Sequence, residues 1–402
     1  MKIVEIKFAE ERKEFLNLPK RLYKNDPYWA CPLDSMIESV FDPAKNRTFN
    51  HGEAARWLLL DGNNRTIGRI AAFIDQVRSA ANKQATGGIG FFEVIEDKEA
   101  AFRLFDTAKE WLASRGMEAM DGPINFGEND NFWGLLVDGF MPQAFGIPYN
   151  KKYYRGFFED YGFGNYFEQY AYHRTVRGSD NKIEQFPERM MKIAEWLSKR
   201  PGYTFRHIEI RNRRKYINDI CDIYNSTWTY LKDDFTPLDP EILERSFMDA
   251  KPVLDEELVW FAYFNDKPVG FFVLLPDINQ ILRHLNGKLN IPGLVKFAWY
   301  KYTGAISRVR AVVGGVAHSH QNTGIESAIF YHLYQVFKRK SWLKEMELSW
   351  VGDYNPKMLA IYEALGAKKA KTLITFRYMI NRNLPLIRYK DEMPADQNIV
   401  NG

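Results

Sequence analysis

The stretch His320–Phe330 reads HQNTGIESAIF. An apolar, strand-like run, VRAVVGGVA, precedes it, and apolar residues at helical spacing follow it. Backbone N–H groups at a helix start are unpaired and sit at the positive end of the helix dipole. A turn running from Gln321 through Asn322, Thr323 and Gly324 to Ile325 could therefore cradle an anion. Gly324 would let an anion approach the backbone, and Gln321 would add a side-chain donor. Glu326 works against this. Its carboxylate complements the dipole on its own account, and it would repel a phosphate unless it points away. Gln-x-x-Gly by itself opens many ordinary helices, so the surrounding elements decide what it means.

Those elements have a clear order. The strand RVRAVVGGVA leads into a helix over about Thr323–Lys340, whose stripe is Ile325, Ala328, Ile329, Leu333, Val336 and Phe337. The strand EMELSWV follows, and Glu347 and Ser349 alternate onto one of its faces. Then come a short helix ended by Gly366 and the strand KTLITFRYMI. His318 and His320 form an H-x-H pair with no further ligand nearby in sequence, so they read as a solvated loop and no metal is expected.

The first part of the chain repeats this order. GFFEVIE leads into a helix from Asp97 to about Ser114, with the stripe Ala101, Leu104, Phe105, Ala108 and Leu112. EAMDGPINF, an insertion and YFEQYAYHRTV follow. Two helix ends, YNKKYYRGFFEDYGF and YNPKMLAIYEALGA, each start Tyr-Asn and place Glu three residues before the closing glycine. The same ending after the same strand–helix–strand order argues for a duplicated α/β unit. The first copy lacks the glycine turn: its helix opens on Glu96 and Asp97, which cap it and would repel anions. In its insertion, Glu128, Asp130 and Asp138 could draw in an amine, or the segment is a packed loop over the sheet.

The polar stretch RGSDN, Arg177–Asn181, is the expected linker, and the tail ending ADQNIVNG is expected to be flexible. The chain has 402 residues and is 46% hydrophobic, enough for sizeable cores in two domains. Its formal net charge of +4 predicts neither nucleic-acid nor membrane binding. Two distant cysteines, Cys31 and Cys221, imply no disulfide framework and suit a reducing compartment. The N-terminus lacks the apolar core of a signal peptide, and no apolar run is long enough to span a bilayer. A cytoplasmic protein is expected. A second insertion, Asp277–Thr303, mixes apolar residues with Arg283, Lys288, Lys296 and Lys301; it reads as a lid, a membrane-surface helix or a helical hairpin.

The second half resembles the GNAT acyltransferase superfamily, whose fingerprint is V-x-P-x-x-[QR]-x-x-G-x-[GA] between a strand and a helix. Val316, Gln321 and Gly324 fit; His318 replaces the usual proline, and Glu326 replaces Gly or Ala. Asn355, Tyr362 and Gly366 match the family's later strand–Asn–Tyr–Gly order. The resemblance is good over 305–380, fair over 203–304 and architectural over 1–176. It implies an α/β fold with a mixed sheet. Two GNAT-like domains stand in tandem, each a mostly antiparallel sheet flanked by helices. The expected divisions are 1–176, a degenerate GNAT-like domain; 177–385, a GNAT domain with the cradle; and 386–402, a tail.

The resemblance also implies acetyl-CoA or another acyl-CoA as co-substrate. Val316, Gln321–Glu326 and Asn355 would bind it. Tyr362 would protonate the leaving thiolate, and Glu347 would act as base, through water. The acceptor would be a small-molecule amine or an amino-acid-like compound. Two other readings stay open: a non-catalytic binding or scaffold protein with a relic cradle, and a Fem-type transferase using aminoacyl-tRNA.

Overall fold

The computed structural model describes residues 1–127, 132–228 and 238–392. Glu128 and Asp130, and the end of the tail from residue 393, lie outside the described residues. The first half runs β1 (Lys2–Glu5), α1 (Ala9–Leu22), α2 (Asp34–Val40), β2 (Gly52–Leu60), β3 (Thr66–Asp75) and α3 (Gln76–Ala81). It continues with β4 (Thr86–Val94), α4 (Lys98–Ala113), β5 (Ala119–Gly122), β6 (Leu135–Asp138), α5 (Tyr154–Tyr161) and β7 (Gly164–Thr175). The second half opens with α6 (Glu188–Ser198), β8 (Tyr203–His207), α7 (Arg213–Trp228), α8 (Pro240–Ala250), β9 (Val259–Phe264) and β10 (Lys267–Pro276). Then come α9 (Asn279–Leu282), α10 (Ile291–Tyr302), β11 (Arg308–Val316), α11 (Ile325–Arg339), β12 (Glu345–Gly352), α12 (Pro356–Ala364) and β13 (Lys368–Met379).

The expected helix stripes are the faces that bury. Ala101, Leu104, Phe105, Ala108 and Leu112 of α4 are fully buried against the first sheet. Ile325, Ala328, Ile329, Leu333, Val336 and Phe337 of α11 lie in the second core. Each large side chain of this kind contributes roughly 1.5–3 kcal/mol on leaving water. Gly162 and Gly366 stop α5 and α12 with φ of 104° and 73°, the left-handed conformation that ends a helix.

Among the described residues thirteen strands form one sheet, ordered β1-β2-β3-β4-β5-β13-β7-β12-β11-β10-β9-β8, with β6 also on β13. Two neighbouring pairs are parallel, β4 with β5 and β11 with β12; the others are antiparallel. The last strand of each half lies in the other half. β7 pairs with β12, β13 pairs with β5 and β6, and β7 and β13 pair with each other. Neither half closes its own sheet without a strand from the other.

Both parallel pairs are short and then part. β4 and β5 pair over Thr86–Gly88 and Ala119–Asp121; β11 and β12 pair over Arg308–Arg310 and Glu345–Glu347. Each fork begins beside a bulge, which turns one strand away from its neighbour. On β4 the register slips at Phe91 and Phe92; on β11 it slips at Val312. At the second fork the Ser349 hydroxyl donates to the Ala311 carbonyl, bridging the strands where they separate.

Candidate functional site

The second fork opens toward the start of α11. A cavity of about 70 Å³ lies there between β10, β11, α11 and α12, and Phe271, Val316, Glu326, Phe330 and Met358 are among its lining residues. Val316, at the end of β11, forms part of that wall. Gly314 is needed for a packing reason: a Cβ there would meet the Phe272 ring at 2.3 Å.

The turn that opens α11 has the backbone form of an anion cradle. Gly324 is the residue before the helix, with φ 92°, and Asn322 is also left-handed at φ 61°. No side chain caps the helix start, so its first N–H groups keep their donor capacity. Thr323 is turned inward, its hydroxyl donating to the His320 carbonyl at 2.6 Å. Gln321 lies 3.4 Å from Lys357 Nζ, which brings a cation from α12 to the turn. Ile325 is fully buried and anchors the first turn in the core. The Cβ position of Gly324 faces Ile193 of α6, at 2.4 Å, so glycine is required by a neighbouring helix as well as by its φ.

Glu326 faces the cavity. Burial raises its carboxyl above the usual glutamate range, against smaller opposing pulls from its own N–H and from Lys357. A carboxyl that favours its proton repels a pyrophosphate less than a carboxylate does. Its charge conflict with an anion is thereby softened.

Tyr362 is 3% exposed, and its ring meets the Tyr172 ring edge-on at 5.5 Å. Burial alone raises its phenol far above the ordinary value. Such a phenol keeps its proton at neutral pH, and the same burial makes it a weaker acid toward a thiolate. Asn355 caps α12, its side-chain oxygen accepting from the Met358 N–H at 3.1 Å. The capping leaves its amide N–H₂ for other partners.

Glu347 lies at the root of the fork, 1% exposed. Lys371 of β13 donates to both its oxygens, at 2.7 and 2.6 Å, reaching across β7. Arg308 stands 3.7 Å away and pairs with buried Asp277 at 2.7 Å. Two carboxyl groups and two cations balance in a site closed to water. Reading the sequence picks out Glu347 but misses Lys371, Arg308 and Asp277. The signal for them was a cation, Arg308, at the head of a strand that is mostly apolar.

His318 and His320 lie in a short turn with no buried residue, and the His320 ring contacts Ser319 at 2.9 Å. In the first half, α4 opens as its sequence implies: the Asp97 side chain accepts from the Ala100 N–H at 3.0 Å. Asp138 ends β6, exposed, in register with Thr372.

No protein-family model matches the chain. It is similar to a protein of Caulobacter vibrioides named bacterial ceramide synthase, 27% identical over 92% of this chain and 96% of that one. It is equally similar, at 27%, to Protein YghO of Escherichia coli, over 89% of this chain and 90% of the other. Among solved structures it superposes on a tandem GNAT protein from the clavulanic acid biosynthesis pathway. The TM-score is 0.56 at 11% identity, covering 94% of this chain and 98% of that one. A GCN5-related N-acetyltransferase of Sphaerobacter thermophilus gives 0.50 at 11% identity, over 96% and 98%. The chain thus has the fold of tandem GNAT proteins. No described helix is long and apolar enough to cross a membrane.

Proposed function

We propose that the protein transfers an acyl group from acyl-CoA to an amine, with the second fork as its cofactor site. The observation that carries this reading is the uncapped, left-handed turn at Asn322–Gly324, set at the mouth of a splayed parallel pair. The pyrophosphate would sit on the N–H groups of Gly324–Glu326, with Gln321 and Lys357 beside it. The pantetheine arm would lie along the open edge of β11, with the Asn355 amide at the start of α12 as its candidate partner.

Tyr362 supplies the proton. The amine nitrogen attacks the thioester carbonyl, the C–S bond breaks, the thiolate takes the phenolic proton, and the proton the amine sheds returns through water to the phenolate. For Glu347 to take that amine proton, Lys371 must first release it. The relative named ceramide synthase favours a long-chain amino alcohol as acceptor and a fatty acyl group as donor. Residues 1–176 and 177–385 are read as duplicated units with exchanged last strands, 386–402 as a tail, and the setting as the cytoplasm.

Calorimetric titration with acetyl-CoA and with longer acyl-CoAs tests the cofactor site. Binding should appear, and Gly324→Asp should abolish it. No heat with any acyl-CoA would leave the second reading, a binding protein with a relic cradle, which the cavity-facing Glu326 favours.

A further inference from the structure

The first half encloses a cavity of about 120 Å³ that the second fork does not use. It lies beside the bulge of β4, where Phe91 takes a left-handed φ of 52°, uncommon for a side-chain-bearing residue. Trp29, Phe92 and Ile124 give it apolar walls, and Arg69, Glu93 and Asn125 are among its polar lining. Glu93 is buried, and its Oε2 accepts from the Tyr23 and Tyr154 hydroxyls, each at 2.8 Å. Arg69 stands 3.9 Å from its Oε1, beyond hydrogen-bond length, and Lys151 adds a second positive charge to its surroundings. Arg69 is spent elsewhere, donating to the Phe15 carbonyl at 2.6 Å, and its Nε is buried without a partner. The Asn125 side-chain oxygen is also buried without a partner. Buried polar atoms are normally paired, so unpaired ones lining a cavity ask for a ligand.

The open positions on Glu93 and Asn125 are acceptors, so the group that meets them must carry more than one donor hydrogen. Most of the remaining wall is apolar. We propose that this cavity binds a primary amine on an apolar chain, its N–H groups donating to Glu93 and Asn125. Such a compound is the class of acceptor the proposed reaction needs, and in that respect the inference rests on the acyltransferase reading; the binding itself stands on the cavity. Burial pushes the Glu93 carboxyl above its usual range, and an ammonium beside it would oppose that shift.

Octylamine is the probe, titrated calorimetrically into the full chain, with octanoate and octanol as controls. Octylamine should bind, Glu93→Gln should weaken it by about tenfold or more, and octanoate should give no heat. Because Glu93→Gln can disturb folding, Ile124→Trp is the second variant: it fills the cavity, leaves the carboxyl, and should block octylamine. No octylamine binding, equal binding by octanol, or unchanged binding in both folded variants would overturn the assignment. Octylamine binding without acyl-CoA binding would sink the acyltransferase reading and keep this one.

A different observation carries a second inference. The helix α10 has apolar residues at one-face spacing, yet its only buried residue is Gly293. Ile291, Leu294, Val295, Trp299 and Tyr302 are 51–93% exposed. From Ile278 to Ile325 the chain has no acidic residue, while Arg283 and Lys288 precede the helix and Lys296 and Lys301 lie within it. An apolar face edged by cations and free of anions complements an anionic bilayer surface. The geometry points to α10 as a helix that lies in such a surface. The hairpin it belongs to is fastened to the first half through the Asp34 N–H and the Gly287 carbonyl, at 2.8 Å.

Co-sedimentation with vesicles of equal phosphatidylglycerol and phosphatidylcholine tests this. The wild type should bind, less in high salt and less to phosphatidylcholine alone. Ile291→Ser with Val295→Ser and Trp299→Ser should lower partitioning by about tenfold or more. No wild-type binding, or equal binding by the triple variant, would overturn the proposal. So would a triple variant that only separates a dimer, since the face would then belong to a second copy.

Discussion

The two forks share a scaffold and differ in what they open onto. In both, a bulged strand leaves its parallel neighbour, and a carboxylate on that neighbour is paired by a cation from β13. Asp121 meets Arg377 at 2.7 and 2.8 Å; Glu347 meets Lys371 at 2.6 and 2.7 Å. The second fork ends in a glycine turn whose N–H groups are uncapped. The first ends in an acid-capped helix, where Asp97 already holds the N–H group of Ala100. One residue at each helix start makes the difference: Asp97 fills an N–H group of α4, and Gly324 has no side chain to do so at α11. The first half instead keeps polar atoms unpaired on a cavity wall.

Breaking the shared scaffold should have the largest effect. Lys371→Met leaves the Glu347 carboxylate buried without its ammonium and should cost about 3–5 kcal/mol, read by denaturant unfolding. Adding Glu347→Leu should recover most of it. If the single variant is as stable as the wild type, the pair is not what joins β12 to β13.

Next comes the chemistry that only the second fork is read to perform. Tyr362→Phe should lower kcat by about 10²-fold or more and leave acyl-CoA binding unchanged. An unaltered rate removes Tyr362 from the reaction.

The helix starts come third. Asp97→Ala should destabilise by about 1 kcal/mol, and Asn355→Ala by a similar amount, since each loses a cap. Only Asn355→Ala should also weaken acyl-CoA binding; equal effects on binding would mean the two halves are not distinct.

The smallest effect concerns Glu326. The folded protein holds its proton more tightly than the unfolded chain does, because burial raises the folded pKa. The stability linked to this group is complete below the ordinary glutamate pKa of about 4.3 and is lost as pH rises through the raised folded value. Glu326→Gln should remove that loss, so its Tm should gain on the wild type as pH rises from about 4 through the raised folded value. A constant difference across that range would place the carboxyl in water.

Much of this was legible because it is local. The stripes of α4 and α11, the glycine ends of α5 and α12, and the turn at Gly324 are periodicities and backbone preferences carried within a dozen residues. The partners were not. Ile193 at Gly324, Lys371 at Glu347, and Tyr23 and Tyr154 at Glu93 lie 24 to 131 positions away along the chain. Glu93 looked like an ordinary strand residue, since alternation places a side chain on a face and says nothing of what waits there.

By itself the sequence determined the elements, their repeated order and the glycine turn that opens α11. These follow from side-chain period, capping and the conformational freedom of glycine. Only the tertiary structure decided that β7 and β13 change places and that cations from β13 settle the carboxylates of both forks. It also left α10 with no core to cover. Strand pairing and ion pairing depend on which backbones come within about 5 Å of each other, and no local pattern records that.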